Sequence, residues 1–530
     1  MADRTDEKGF GFVMTQNRRL VLNVAATYGR SLYALAVGIF TARWALQALG
    51  EVDYGLVGVV GGLTGFVSFL NGLLASAVSR FYGVSVGAAK RKGNESEGLR
   101  ECQRWFTVAV SIHSVVPLVL VAIGYPCGVW AVEHFLTIPQ DRVLACIWVW
   151  RFTCMSCFIG MVSVPFSAMY GAKQEIAELT IYSFFQTTAN AFFLYYMITH
   201  PGVWLAKYSL WTCVLGAIPQ FFIIARAIVC YKECRFVSGF FWNLGRVKEI
   251  CRFAFARCLA QLAGVFAGQG SAIVVNKYLG PSFNASVSLG STVAGHAATL
   301  AESVTGAFYP VIVNKTGEGA FDEVRTLSLR VSRIGSALIL LFTIPLSLEI
   351  REVLRLWLIH PPVFVAEICV AILIKMVLEA MSDGYWMSIL SKGESIVKYS
   401  MSVCWAGFIL MGSVWILFEF GFGMVSLCVG YLLHAIWIVG WRLYWGRKLI
   451  GIGVRTWLWR VFLPLTTICI VTAMWGCVPQ LFLKSSLMRV VVTILFCEVI
   501  YVPALYFWML DSAEKKYLKG KLMAFVAKWR

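Results

Sequence analysis

The chain has 530 residues, of which 59% are hydrophobic and 14% are charged, and its formal net charge is +18. A soluble protein of this length could not bury so much apolar surface, so the composition predicts a membrane protein with many spans. The basic excess indicates cytoplasmic loops rich in Lys and Arg, or an anionic substrate. Nucleic-acid binding is disfavoured because no basic domain stands outside the apolar segments.

The apolar segments begin after a polar, basic amino-terminal stretch, residues 1–19. The first of them is too long for the core of a signal peptide, and no small-residue cleavage site follows it, which indicates a retained first span. About fourteen segments are long enough to cross a bilayer. They are 20–42, 54–77, 105–125, 143–168, 177–198, 207–230, 253–275, 284–307, 327–348, 364–390, 399–419, 424–445, 461–478 and 490–510.

Arg30 lies near the middle of the first span, roughly 16 Å from Arg19 at ~1.5 Å per residue. An arginine at that depth in a ~30 Å hydrocarbon core cannot easily extend to either surface. The first six spans offer no Asp or Glu at mid-membrane depth to pair with it. We therefore expect Arg30 to face a wet cavity and to bind an anion, with phosphate oxygens suited to its fixed donors. A structural ion pair with a buried acid is the alternative.

The second span contains five closely spaced glycines, which resemble a phosphate-binding loop in number. They are Gly55, Gly58, Gly61, Gly62 and Gly65. No strand precedes them and no Lys-Ser/Thr pair follows, so they indicate close helix packing instead.

The fourth span contains a C-x-x-C pattern, Cys154 and Cys157, without the βαβ context of a redox motif. Both cysteines are therefore interpreted as small apolar side chains, and neither disulfides nor metal sites are indicated. Arg151 lies nine residues into the same span, beside Trp148 and Trp150. It is either an interfacial arginine flanked by aromatic rings or a cavity residue that binds substrate.

The seventh to tenth spans carry the remaining candidates. Arg257 opens the seventh span, so its side chain either extends to the inner interface or joins Arg30 in binding substrate. In the tenth span Lys375, Glu379 and Asp383 are four residues apart and share one face. They form either a self-neutralising stripe or a cavity wall whose carboxylate binds protons or sodium during turnover. Glu302 and His296 in the eighth span are weaker candidates for ion coupling.

An even number of spans places both termini on one side of the membrane. If that side is the cytoplasm, the basic runs 80–104, 232–252, 447–460 and 515–530 all lie inside, as the positive-inside rule requires. The longest outer loop, about residues 126–142, has no room for a globular domain. Short outer loops disfavour membrane polymerases and glycosyltransferases.

The chain also contains an internal repeat. Leu49-Gly50, between the first two spans, matches Leu279-Gly280, between the seventh and eighth, at an offset of 230 residues (280 − 50). The offset predicts two six-helix halves in the same orientation around a central cavity, with a chance match of short loops as the alternative. The predicted fold is an all-α polytopic membrane protein with about 14 transmembrane helices, namely two pseudo-symmetric lobes plus two carboxyl-terminal helices. The predicted parts are a cytoplasmic segment (1–19), an N-lobe (20–230), a basic loop (231–252), a C-lobe (253–445), two additional helices (446–510) and a basic cytoplasmic tail (511–530).

Three segments resemble bacterial polysaccharide flippases of the multidrug/oligosaccharidyl-lipid/polysaccharide exporter superfamily. They are LGEVDYGLVGVVGGLTGFVSFLNGLLASAVSRFYGVSVG (49–87), IPQDRVLACIWVWRFTCMSCFIGMVSVPFSAMYGAKQE (138–175) and FARCLAQLAGVFAGQGSAIVVNKYLGPSFNAS (255–286). The resemblance covers most of residues 20–450. It implies twelve to fourteen helices in two lobes, and the movement of undecaprenyl-pyrophosphate-linked sugars from the inner to the outer leaflet. Related lipid II flippases use arginines in a central cationic cavity and have two additional carboxyl-terminal helices, and this chain has matching features.

The leading hypothesis is therefore a flippase for lipid-linked oligosaccharide in the bacterial inner membrane, serving O-antigen, capsule or exopolysaccharide assembly by alternating access. A lipid II flippase is a close alternative. A multidrug or cation antiporter is a second, although its cavity would need acids that the amino-terminal lobe lacks. An enzyme is the least favoured class, and no cofactor is expected. The expected partners are the lipid-linked substrate and the bilayer, with a polysaccharide polymerase and glycosyltransferases as further candidates.

Overall fold

The computed structural model describes residues 3–62, 95–173, 175–251, 264–306, 308–358, 360–392 and 396–509, together with 71–72, 74–75, 77–79, 81–82, 85 and 515. Within these residues all regular secondary structure is helical. Nine of the described helical segments are long and apolar enough to cross a membrane. Helices satisfy their own backbone hydrogen bonds, which is what a spanning segment requires in hydrocarbon. The prediction of an all-α, multi-pass membrane protein is confirmed.

The first compact unit comprises Met1–Ser288. In it the helix Asp3–Gly62 packs against Ile176–Thr199, and Val143–Ala172 packs against Glu95–Trp130 and Leu205–Cys230. The helices are α1 (Asp3–Gly62), α2 (Glu95–Trp130), α3 (Val143–Ala172), α4 (Ile176–Thr199), α5 (Leu205–Cys230), α6 (Ser271–Leu279) and the first part of α7 (Pro281–Thr305). Parts of the second and seventh predicted spans, 63–70 and 253–263 among them, lie outside the described residues.

The helix α1 contains one break, at Gly50, where φ is 76° and ψ is 170°. Gly280, between α6 and α7, has nearly the same conformation, with φ 86° and ψ 179°. Residues with a Cβ rarely adopt this region, so both positions favour glycine. The two glycines are the pair that the 230-residue offset aligns, and the same helix–break–helix geometry therefore occurs at both places.

The glycines after the break bring α1 close to α7 and to the helical turn that precedes α6. A Cβ atom at Gly55 would lie 1.9 Å from the carbonyl oxygen of Pro281, and one at Gly62 would lie 2.1 Å from Oε1 of Gln269. A Cβ at Gly58 would also be crowded, at 2.9 Å from a serine hydroxyl. These close approaches confirm that the glycines serve helix packing. Gly61 has open space, and Gly65 lies outside the described residues.

We expect Gly55→Ala to destabilise the protein by about 1–3 kcal/mol, because the added methyl group overlaps a backbone atom that cannot move alone. Thermal unfolding of the purified protein in detergent measures the effect. Gly61→Ala is the matched control, since its methyl group would enter open space. Equal losses of stability in the two variants would contradict the packing account.

The second compact unit comprises Leu289–Arg530 and is organised around α9. Ser328, Ser332 and Ser336 recur at every fourth residue of α9 and are fully buried, so neighbouring helices can approach closely. After the remainder of α7, its helices are α8 (Phe308–Gly317), α9 (Phe321–Leu348), α10 (Ile350–Leu358), α11 (Val365–Ala380), α12 (Asp383–Lys392), α13 (Ile396–Glu419), α14 (Val425–Ile450), α15 (Val454–Trp457), α16 (Leu463–Gly476), α17 (Val478–Phe482) and α18 (Leu487–Ala504). The lobe limits 20–230 and 253–445 stay a prediction.

The tenth predicted span, 364–390, is two helices, α11 and α12, and the prediction of one continuous helix is wrong. At the break, side chains from other helices form hydrogen bonds with the backbone groups of this segment. The Arg442 guanidinium donates to the carbonyl oxygen of Glu379 at 2.8 Å, and the backbone N–H of Gly384 donates to Oγ of Ser332 at 3.1 Å. These bonds replace helical ones, so the chain can turn at Met381 and Ser382 without leaving the groups unsatisfied.

The last helices are attached to α9 by a buried acid at its carboxyl-terminal end. The Glu349 side chain is completely buried. It accepts two hydrogen bonds from the Arg489 guanidinium, at 3.1 and 2.7 Å, and one from the Thr493 hydroxyl at 2.9 Å. A fork-shaped, charge-assisted contact of this kind fixes orientation as well as distance. It sets the position of α18 against α9.

Candidate functional site

Arg30 lies within α1, midway between Arg19 and Arg43, and roughly 20 Å from the latter at ~1.5 Å per residue. Its side chain is exposed. Among the described residues it has neither an ion pair nor a hydrogen bond. The structural ion pair considered as the alternative therefore finds no acid in the described part of the chain. One turn further along α1, Tyr33 stacks on Phe184 of α4 with ring centroids 4.2 Å apart.

Arg151 is held by aromatic residues on two helices. Its guanidinium lies over the Trp148 ring at 4.7 Å, and its Nε donates to the hydroxyl of Tyr125 on α2 at 2.8 Å. The side chain is exposed. This geometry accounts for the aromatic neighbours seen in the sequence, while a substrate-binding role for Arg151 stays a prediction.

For two of the other candidate site residues the structure describes no side chain. Arg257 lies outside the described residues, and so does the side chain of Glu302, although its backbone belongs to α7. His296 on α7 is half-buried, and its Nε2 is buried without a hydrogen-bond partner in the described part of the chain.

A cavity of about 600 Å³ in the second unit brings the tenth-span charges together. Its lining includes Lys375 and Glu379 from α11, Asp383 from α12 and Arg442 from α14. The three predicted residues therefore face one space, even though the helix that was expected to carry them is interrupted. Small residues of α7, Gly295 among them, form part of the opposite lining.

Each carboxylate in this cavity has a basic partner. Lys375 Nζ lies 3.1 Å from Oε1 of Glu379, and His434 Nδ1 lies 2.9 Å from the same oxygen. Arg442 contacts Oδ1 of Asp383 at 2.7 Å. Two acids thus face two permanent cations, with a histidine beside them. Lys375, Glu379 and Asp383 therefore form both a stripe of paired charges and part of a cavity wall. The ion-coupling role of Glu379 and Asp383 stays a prediction.

No family model and no curated protein matches the sequence of this chain. Solved structures do resemble it. One is the lipid II flippase MurJ in an inward closed conformation, with a TM-score of 0.65, 12% identity, and coverage of 91% of this chain and 98% of that one. Another is a multidrug resistance MATE family transporter in an inward-facing conformation, with a TM-score of 0.58, 15% identity, and coverage of 80% and 94%. The chain therefore shares the fold of these two solved structures.

Within this fold the sequence identified Glu379 and Asp383 as candidates but missed their partners on α14. His434 and Arg442 are eight residues apart, close to two helical turns, and both interrupt an otherwise apolar helix. Polar residues inside apolar spans are costly and need partners, so this spacing was an available signal. Sequence alone could not show which helix supplies those partners.

Proposed function

We propose that the protein is a flippase that moves undecaprenyl-pyrophosphate-linked oligosaccharide across the bacterial inner membrane, for O-antigen, capsule or exopolysaccharide assembly. The observation that carries the proposal is the exposed side chain of Arg30, which has no partner among the described residues and belongs to a residue predicted to lie at mid-membrane depth. An unpaired charge at that depth costs several kcal/mol unless water or an anion compensates it, so its presence calls for a ligand.

A pyrophosphate headgroup matches Arg30 better than a carboxylate or a drug cation does. The guanidinium presents several donors in a fixed plane, which fits the closely spaced oxygens of a phosphate. A cationic drug would be repelled. Arg151 and Arg257 are proposed as further contacts for the same headgroup, since each adds a permanent positive charge within a predicted span.

A lipid II flippase is the second candidate, and the similarity to a solved lipid II flippase favours it. Both candidates would bind a lipid-linked pyrophosphate, so they differ in the sugar and not in the use of Arg30. A cation antiporter is less well supported. The charged cavity of the second unit has a basic group beside each carboxylate, so a bulky cationic substrate would have to displace one of these groups to reach an acid.

The proposed mechanism is alternating access, with both termini in the cytoplasm. A ligand that binds two conformations equally shifts neither, so net transport needs an additional energy source. We propose that Glu379 and Asp383, with Glu302 as a further candidate, couple transport to an ion gradient. Adding one proton to either described carboxylate would change the charge balance of a cavity in which acids and permanent cations are matched.

Deletion of the gene, followed by identification of the lipids that accumulate, tests the proposal. The expected result is accumulation of an undecaprenyl-pyrophosphate-linked oligosaccharide together with loss of a surface polysaccharide. Accumulation of lipid II would instead support the second candidate. No accumulated lipid-linked sugar would contradict both and favour an antiporter.

A further inference from the structure

A second cavity, of about 290 Å³, lies within the first unit between α1, α4 and α5. Its lining is uncharged but rich in hydrogen-bonding groups. Three hydroxyls and two side-chain amides contribute, from Thr41, Gln186, Thr187, Asn190 and Thr212. Uncharged polar groups from three helices seldom converge inside spanning segments without a function, because each is costly when left without a partner.

The threonine hydroxyls already donate within their own helices. Thr187 donates to the carbonyl oxygen of Ser183 at 2.9 Å, and Thr212 donates to that of Ser209 at 3.0 Å. Their oxygen lone pairs remain available as acceptors.

The two side-chain amides, in contrast, have hydrogen-bonding groups that no described residue satisfies. Oδ1 of Asn190 is buried and has no hydrogen-bond partner in the part of the chain that the structure describes. The Gln186 side chain forms no hydrogen bond with any described residue. A buried, unsatisfied amide oxygen costs about 1–3 kcal/mol, which a ligand or water with a donor group would recover.

Arg30 and this cavity lie along the same face of α1. Ala34 and Thr41, both of which line the cavity, are four and eleven residues after Arg30, close to one and three full helical turns. At ~1.5 Å per residue they lie roughly 6 and 16 Å further along the axis. A ligand with a phosphate at Arg30 and an uncharged portion beyond it would therefore reach the cavity along one helix face.

We propose that this cavity is a subsite for a neutral, hydroxyl-rich sugar residue of the lipid-linked headgroup. The inference rests on the proposed function, and it adds a recognition site for the glycan. Sugar hydroxyls both donate and accept, which suits a lining of amides and hydroxyls. The volume equals that of roughly ten waters at ~30 Å³ each, which is enough for a sugar ring. Among the described residues the lining contains no carboxylate for a cation and no basic group for a second phosphate.

The test compares two ligands on the purified full-length protein in nanodiscs. One is undecaprenyl pyrophosphate, and the other is the lipid-linked oligosaccharide extracted from cells that lack the protein. Gln186→Met, Asn190→Leu and Thr212→Val remove hydrogen-bonding groups with little change in volume. Each is expected to weaken binding of the glycosylated lipid about tenfold and to leave binding of undecaprenyl pyrophosphate unchanged.

Ser183→Ala is the matched control on α4. Its hydroxyl donates to the carbonyl oxygen of Leu179 and does not line the cavity, so binding of both lipids should be unaffected. Arg30→Ala should weaken binding of both lipids. If the cavity variants weaken both lipids equally, or neither, the sugar subsite is wrong while the flippase proposal stands. If the unaltered protein binds neither lipid, the flippase proposal itself fails.

Discussion

Arg30→Ala is expected to abolish export of the surface polysaccharide while the protein remains in the membrane at its usual level. The side chain has no partner among the described residues, so its removal leaves no described charge uncompensated. Insertion should even improve, because an arginine at the centre of a span costs about 2.5–3.5 kcal/mol on insertion scales. Polysaccharide on the cell surface and protein in the membrane fraction are the two quantities to measure.

Two further variants sharpen this expectation. Arg30→Lys should restore part of the export if charge alone matters, and little if the planar fork of the guanidinium is required. Arg351→Ala is the control, since the Arg351 side chain is 82% exposed and pairs with Glu367 near the start of α11. Normal export by Arg30→Ala would rule out the anion-binding role. A large loss of membrane-inserted protein would support the structural ion pair instead.

Arg442→Met is expected to cause the largest loss of stability in the second unit. The change leaves Asp383 without its cation and removes one of the hydrogen bonds that the carbonyl oxygen of Glu379 accepts at the break between α11 and α12. Removal of one partner of a buried pair costs about 3–5 kcal/mol; because Asp383 opens onto a cavity, we expect about 2–4 kcal/mol. Thermal unfolding in detergent, with Arg351→Met as the exposed control, measures the difference.

The double variant Arg442→Met/Asp383→Asn tests the reason for that loss. If the cost comes from the uncompensated carboxylate, its neutral isostere should recover part of the stability in a double-mutant cycle. Additive losses in the double variant would show that the two residues do not stabilise each other. In that case the break between the helices, and not the ion pair, would be the main contribution of Arg442.

Local properties of the sequence predicted much of the fold. Apolar length identified α3, α4 and α5 within about four residues at each end, and the Leu-Gly pairs predicted that Gly50 and Gly280 would be equivalent. The closely spaced glycines of the second predicted span are not accompanied by the strand and the Lys-Ser/Thr pair of a phosphate-binding loop. They correctly indicated close helix packing at Gly55. These features are encoded within one helix or one loop, which is why they can be recognised without the structure.

The rest depends on which helix faces meet. Glu379 and His434 are 55 residues apart, and the backbone break before Asp383 is stabilised by side chains of α9 and α14. The uncharged cavity likewise combines residues from three helices, none of which has a recognisable motif of its own. Hydropathy shows that a helix crosses the membrane, but it does not show the rotation of that helix about its axis.

The most direct measurement is the leaflet distribution of the lipid-linked glycan in intact spheroplasts, read with a membrane-impermeant reagent that labels sugars. In cells with the unaltered protein, a substantial fraction of the glycan should be labelled from outside. In deletion cells, and in cells that carry only Arg30→Ala, the same lipid should be present in equal or greater amount but protected from the reagent. Equal labelling in all three strains would contradict the proposed flippase.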